Sequence, residues 1–180
     1  LPALAAGLND AYDGAIEQLR RRGATIVDVD FDRYEWTKVR RESLLLSEVE
    51  AAAHFAEALQ HDPDGFSSAL REMLAFGAKQ SGPRTTESYR RLAATRALLW
   101  QVWGDLDALL LPTAPQTAFR FGDPVPIDQA DLTSIANILG TPAACVPYGR
   151  SADGLPFSMQ ALARPFEDAT AMIIAQALEA

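Results

Sequence analysis

Asp107-Ala108-Leu109-Leu110-Leu111-Pro112-Thr113-Ala114-Pro115 decides how this chain of 180 residues folds. Four apolar residues run together from Ala108 to Leu111 with no polar alternation, so both faces of the segment need cover. That is the pattern of a strand buried inside a layered sheet. Pro112 and Pro115 have no amide N–H to extend a ladder, so the strand stops at Pro112 and leaves through a stiff loop. The loop continues to Pro126 and holds four of the chain's prolines.

Outward from this strand, helices alternate with short apolar segments. Leu8, Tyr12, Ala15, Ile16 and Leu19 fall on one helical face, and Gly23 can close that helix in the left-handed conformation. Ala24-Thr25-Ile26-Val27-Asp28-Val29-Asp30-Phe31 follows, β-branched, and predicts a strand with Val27, Val29 and Phe31 on one face. Residues 36 to 59 predict a long helix, and 66 to 76 a shorter one with Phe66, Leu70, Met73 and Leu74 inward. After the break at Gln80-Ser81-Gly82-Pro83, Thr85 or Thr86 is expected to cap a helix burying Tyr89, Leu92, Ala93, Leu99, Trp100 and Trp103.

Beyond the proline-rich loop, residues 131 to 139 predict a small helix closed by Gly140. Residues 143 to 146 and 157 to 162 predict strands, with a tight turn at Asp153-Gly154. The last helix, from Asp168 to Leu178, would bury Met172, Ile173 and Ala177. The sum is an α/β domain, a mixed β-sheet core with helices on both faces, without internal repeat or domain boundary.

Composition excludes several roles. The formal charge of −8 disfavours a phosphate-binding surface. Arg20-Arg21-Arg22 precedes Gly23, where cations suit a helix C-terminus. No nucleic-acid partner is expected. No apolar run approaches the ~20 residues of a membrane helix, so no membrane partner is expected either. Cys145 is the single cysteine, so nothing demands an oxidising compartment, and a cytoplasmic location is the expectation. In its apolar strand Cys145 should be buried and unreactive.

Chemistry-bearing clusters are scarce. His54 and His61 would lie on one helical face, two turns or ~10 Å apart, too far to share a metal unaided. No metal and no cofactor are expected, and no Gly-x-Gly offers a nucleotide loop. Ser67-Ser68 with Lys79 superficially suits a serine–lysine pair, but a serine at a helix start is an ordinary cap, and no glycine-rich oxyanion loop surrounds it. Asp28 with Asp30, and Asp105 with Asp107, read as solvated carboxylates.

A resemblance carries the reading further. The stretch 107–115 is similar to the "D-x-L-L-x-P-T-x-P" of the amidase-signature family. Ile135 to Ala143 resembles its "x-x-N-x-x-G-x-P-A", with Asn137 as the Asn. Pro147-Tyr148-Gly149 resembles "P-x-G", and Gly154-Leu155-Pro156 with Gln160 resembles "G-L-P-x-G-x-Q". Four motifs in order make a joint signal that none makes alone. The resemblance is specific after Asp107 and loose before it, where Ala15 to Val29 and the Tyr89/Arg96 pair fit a family helix, strand and helix.

The resemblance implies hydrolysis or transfer of an amide by a Ser–cis-Ser–Lys triad. Family members carry it in a glycine- and serine-rich N-terminal half, and no such segment occurs here; the only lysines are Lys38 and Lys79. Residues 1–180 are therefore expected to be the C-terminal portion of a single amidase-signature domain, without catalytic residues of their own. Thr113, Asp131 and Asn137 are the expected substrate-binding residues, forming one wall of the pocket. A small-molecule amide substrate and a homo-oligomer are the expected partners. The alternatives are a non-catalytic module on an amidase-like scaffold, and the A subunit of a tRNA-dependent amidotransferase. Ser158, Ala163 and Cys145 depart from the family's usual residues. Ala130 stands where those amidotransferase proteins would carry an aspartate, with Asp131 one place off, and Glu72-Met73 replaces an expected basic pair.

Overall fold

The computed structural model describes residues 1–179. In chain order the elements are α1 (Leu8–Arg21), α2 (Trp36–His54), α3 (Ala56–His61), a 3-10 turn (Pro63–Gly65), α4 (Ser68–Ala78), α5 (Gly82–Trp103), β1 (Ala108–Pro112), α6 (Ser134–Leu139), β2 (Ala143–Arg150), β3 (Pro156–Ala163) and α7 (Asp168–Glu179). The chain divides into two compact units, one formed by residues 1–37 and 98 onward, the other by Lys38–Ala97.

In the first unit β3 is the central strand of an antiparallel sheet ordered β1-β3-β2, with Leu111 and Cys145 both opposite Gln160. The tight turn expected at Asp153-Gly154 joins β2 to β3, with Gly154 at φ 78° and its N–H on the Ser151 carbonyl. One sheet face presents Val146, Phe157 and Met159 to Leu8, Ala15 and Leu19 of α1 and to Ala175 and Leu178 of α7. Each large apolar side chain buried there contributes about 1.5–3 kcal/mol. As its periodicity requires, α1 buries Leu8, Ala15 and Leu19, and it ends as expected at Gly23. Gly23 N–H reaches Arg20 O and Ala24 N–H reaches Leu19 O, which satisfies the last carbonyls of the helix. Gln18 on α1 donates to the Ala177 and Leu178 carbonyls at the end of α7 and accepts from the Tyr148 hydroxyl of β2. One side chain thus ties three elements.

Segment 24–31 is not a strand. A strand needs a ladder partner, and none pairs with it among the described residues. It runs extended with Ile26 turned to the α1/α7 core, while Val27 is exposed. Met172 and Ile173 of α7 also face outward; Ala171, Ala175 and Leu178 are the inward set. Two alanines let the helix axis lie close to the sheet, which bulkier residues would not allow.

In the second unit the long helix expected over 36–59 is split at Phe55, whose ring meets His54 and Phe66 edge-on. Ser67 caps α4, its hydroxyl accepting from Leu70 N–H, so the helix starts at Ser68 and not at Phe66. Its buried positions are Leu74 and Gly77, while Leu70 and Met73 are exposed. At Gly77 the helix comes so close to α2 that a Cβ there would meet the Glu48 backbone. α5 starts at Gly82, ahead of Thr85; Pro83 needs no N–H partner in a first turn, and Ser81 Oγ accepts from Arg84 N–H. Ser88, not the exposed Tyr89, is its inward residue in this unit, drawn there by buried Glu42.

Candidate functional site

The proline corner after β1 is held from two sides. Thr113 N–H donates to Ser158 O at 2.8 Å, and Pro115 O accepts from Ala5 N–H at 2.8 Å. The Thr113 hydroxyl is buried and has no hydrogen-bond partner among the described residues. A buried, unspent hydroxyl carries a desolvation penalty until a partner arrives.

Asp131 lies just before α6 and is 1% exposed. Its Oδ2 accepts from the Thr37 hydroxyl at 2.6 Å, and its main-chain carbonyl accepts from the Ser134 hydroxyl at 2.7 Å. Beside them, burial pushes the Tyr34 phenol up to about 12; the Ser134 hydroxyl acts the other way and the Asp131 charge reinforces the rise. Tyr34 therefore stays protonated at neutral pH. It also lines an open cleft of about 450 Å³ together with Phe31, Leu99, Trp103, Asp28 and Arg33.

Gln160 brings Thr113 and Asp131 into one region. Its Nε2 donates two 3.1 Å hydrogen bonds, to Pro112 O and to Leu132 O. One carbonyl belongs to the residue before Thr113, the other to the residue after Asp131. Asn137 is not joined to them in this way: it sits on the exposed side of α6 and makes no side-chain hydrogen bond to another described residue, while Ile135, Ile138 and Leu139 are buried.

The parts of this network other than Thr113 and Asp131 escape a site search by residue type. Thr37, Tyr34 and Ser134 carry no motif. Gln160 has a signal, an amide within the apolar run Met159-Gln160-Ala161-Leu162, where a buried polar group must find partners.

The buried Thr113 hydroxyl and the Asp131 carboxylate can hold and orient a polar ligand. Ser67 is spent as a helix cap. Among the described residues no group of three His, Cys, Asp or Glu could hold a metal. His54 and His61 are exposed on separate helices and do not share one face. Cys145 is exposed, against expectation, because β2 is an edge strand and its second face, with Ala143 and Pro147, is open. No helix among the described residues is long and apolar enough to cross a membrane.

Residues 3–172 match the family described as Amidase. The chain is 29% identical over 201 aligned positions to the A subunit of the Glutamyl-tRNA(Gln) amidotransferase of Chloroflexus aggregans, covering 96% of this chain and 41% of that protein. It is 28% identical to the protein of the same name from Brevibacillus brevis, again covering 41% of it. It superposes on a crystal structure of an amidase with a TM-score of 0.83 and 25% identity, covering 98% of this chain and 42% of that one. For the A subunit of the Thermotoga maritima Glutamyl-tRNA(Gln) amidotransferase the TM-score is 0.69 at 26% identity, with 98% and 39% covered. The chain thus spans about two-fifths of the length of the relatives it matches.

Proposed function

Since this chain belongs to the Amidase family, we propose that it forms the C-terminal part of an amide hydrolase whose triad lies outside residues 1–180. The observation that carries this reading is coverage: nearly all of this chain superposes on the amidase structure, yet it accounts for 42% of it. Acyl transfer through a serine needs a base beside it and a loop of free amides in front of it, and the glycine- and serine-rich segment that would supply them does not occur in residues 1–180. In this reading Thr113, Asp131 and Asn137 line one wall of the pocket for a small-molecule amide. Thr113 supports it best, because its buried hydroxyl has no partner among the described residues. The whole protein would be a cytoplasmic homo-oligomer; Cys145, the single cysteine of residues 1–180, is unpaired, which fits a reducing compartment.

A second reading, the A subunit of a tRNA-dependent amidotransferase, is favoured by the names of its relatives. Ala130 and Glu72-Met73, which depart from the pattern expected of those proteins, weigh against it.

The test is turnover of a panel of aliphatic and aromatic amides by the full-length protein and by residues 1–180 alone. Hydrolysis by the full-length protein and none by the fragment is expected. Turnover by the fragment, abolished by Ser67→Ala or Ser68→Ala, would overturn the reading. Activity of the full-length protein only with glutamine and added partner proteins would move the assignment to the amidotransferase. A full-length protein inert in both assays would leave a non-catalytic module.

A further inference from the structure

We propose that Gln160 is a positioning residue for the substrate wall: its amide sets the spacing of Thr113 and Asp131, and so the fit of the substrate. The inference rests on the reading above, in which those two residues line the pocket.

Gln160 occupies the middle of β3, the central strand, and is 1% exposed. Its strand neighbours Met159, Ala161 and Leu162 are buried and apolar. If the position only needed filling, an apolar side chain would serve and would avoid the desolvation of an amide. Instead its Nε2 donates to two carbonyls distant in sequence, Pro112 O at the end of the adjoining strand β1 and Leu132 O outside the sheet, 48 and 28 residues away. The two N–H bonds of a primary amide diverge in one plane at a fixed angle. Two carbonyls held by the same nitrogen are therefore held at a set separation. Pro112 O fixes the exit of β1, where Thr113 begins; Leu132 O fixes the turn that carries Asp131.

The remaining contacts complete the clamp. Thr113 N–H is bound to Ser158 O, two residues from Gln160 on the same strand. Asp131 is bound through Thr37 on its far side. Thr113 is thus tied to β3 by its own N–H and through Pro112, Asp131 to β3 through Leu132 and to Thr37 by its carboxylate, and the Gln160 amide joins the two.

The experiment uses the full-length protein. Gln160→Met keeps length and volume and removes both donors. Gln160→Glu keeps the shape and turns oxygens toward the two carbonyls. For each, kcat and KM toward a panel of small amides are measured beside thermal melting. KM should rise about tenfold, with kcat changed less than about twofold, the signature of lost binding common to ground and transition states. In a Thr113→Val background Gln160→Met should add little further rise, because both act on one contact.

Unchanged KM in both variants, or equal losses in every kinetic constant, would overturn the inference. Failure of both to fold would also overturn it, giving the amide a purely structural role. If Thr113→Val and Asp131→Asn themselves leave KM unchanged, the wall reading is what fails. If they raise KM and Gln160→Met does not, only the positioning role fails.

Discussion

Asp131, almost wholly buried, accepts a 2.6 Å hydrogen bond from the Thr37 hydroxyl. The bond ties Thr37 to the loop that precedes α6, within the first unit. Thr37→Val keeps the shape of the side chain and withdraws the donor from a buried carboxylate. Stability should fall by about 1–3 kcal/mol, read from urea denaturation, and Thr37→Ser should recover most of it. Equal midpoints for wild type and Thr37→Val would show that the bond contributes nothing.

Glu42 makes a prediction about pH. It is buried in the second unit and accepts from Arg84 at 2.8 and 3.1 Å, from Ser88 at 2.6 Å and from Arg91 at 3.1 Å. The Arg84 hydrogen bond, first among the causes, holds its carboxyl below the ordinary glutamate range; burial opposes this and the Ser88 bond and arginine charges reinforce it. A depressed folded value means stability present in full above the unfolded value of about 4.3, and lost as pH falls through the lower folded value. Glu42→Gln should therefore be less stable than wild type by about 1.5–3 kcal/mol at neutral pH. The gap should close on acidification below the ordinary glutamate range. A gap independent of pH would show that the carboxylate charge is not what the arginines recognise.

Gly77 sets two effects against each other. Replacing a helical glycine by alanine ordinarily gains up to about 1 kcal/mol of helix propensity. Here the new Cβ would lie 2.1 Å from the Glu48 carbonyl oxygen of α2, and backbone cannot swing aside as a side chain can. Overpacking of this kind costs about 1–3 kcal/mol, and more where backbone must move. Gly77→Ala should lower the melting temperature. Gly82→Ala is the control, because nothing lies within 4 Å of the position its Cβ would take.

Cys145 should react at once with a thiol reagent in residues 1–180, with one equivalent taken up under native conditions. The thiol sits on the open face of edge strand β2. In the full-length protein the same thiol should be protected, if the remainder covers that face. Slow labelling of the fragment would contradict the exposure of β2.

Local punctuation makes most of the fold legible. Gly23, Pro112, Gly140 and Gly154 each end or turn an element where their backbone freedom or missing N–H requires it, and all four do so in the structure. What sequence alone misses is whatever depends on a neighbour. Val27 and Val29 have the branched side chains of a strand, but ladder hydrogen bonds belong to pairs of segments and not to one. Met172 and Ile173 are among the larger apolar residues of α7, yet the small Ala171 and Ala175 decide which side can approach the sheet. The apolar segment around Cys145 implies cover, whereas an edge position leaves one side open. At the site, Thr113 and Asp131 come from the resemblance, while Gln160's fork between their neighbours depends on two segments far apart in sequence meeting at β3.

The strand order β1-β3-β2 also has a kinetic meaning. β2 and β3 meet across a short turn at Gly154, whereas β1 reaches β3 only after the proline loop, α6 and β2 have been crossed. Closing a long loop costs more entropy than closing a short one, and non-local pairing slows folding. The hairpin is thus favoured to assemble first, with β1 docking on a ribbon already made. The Gln160 amide can catch Pro112 and Leu132 only at that later step, so the candidate wall is among the last parts of the chain to be built.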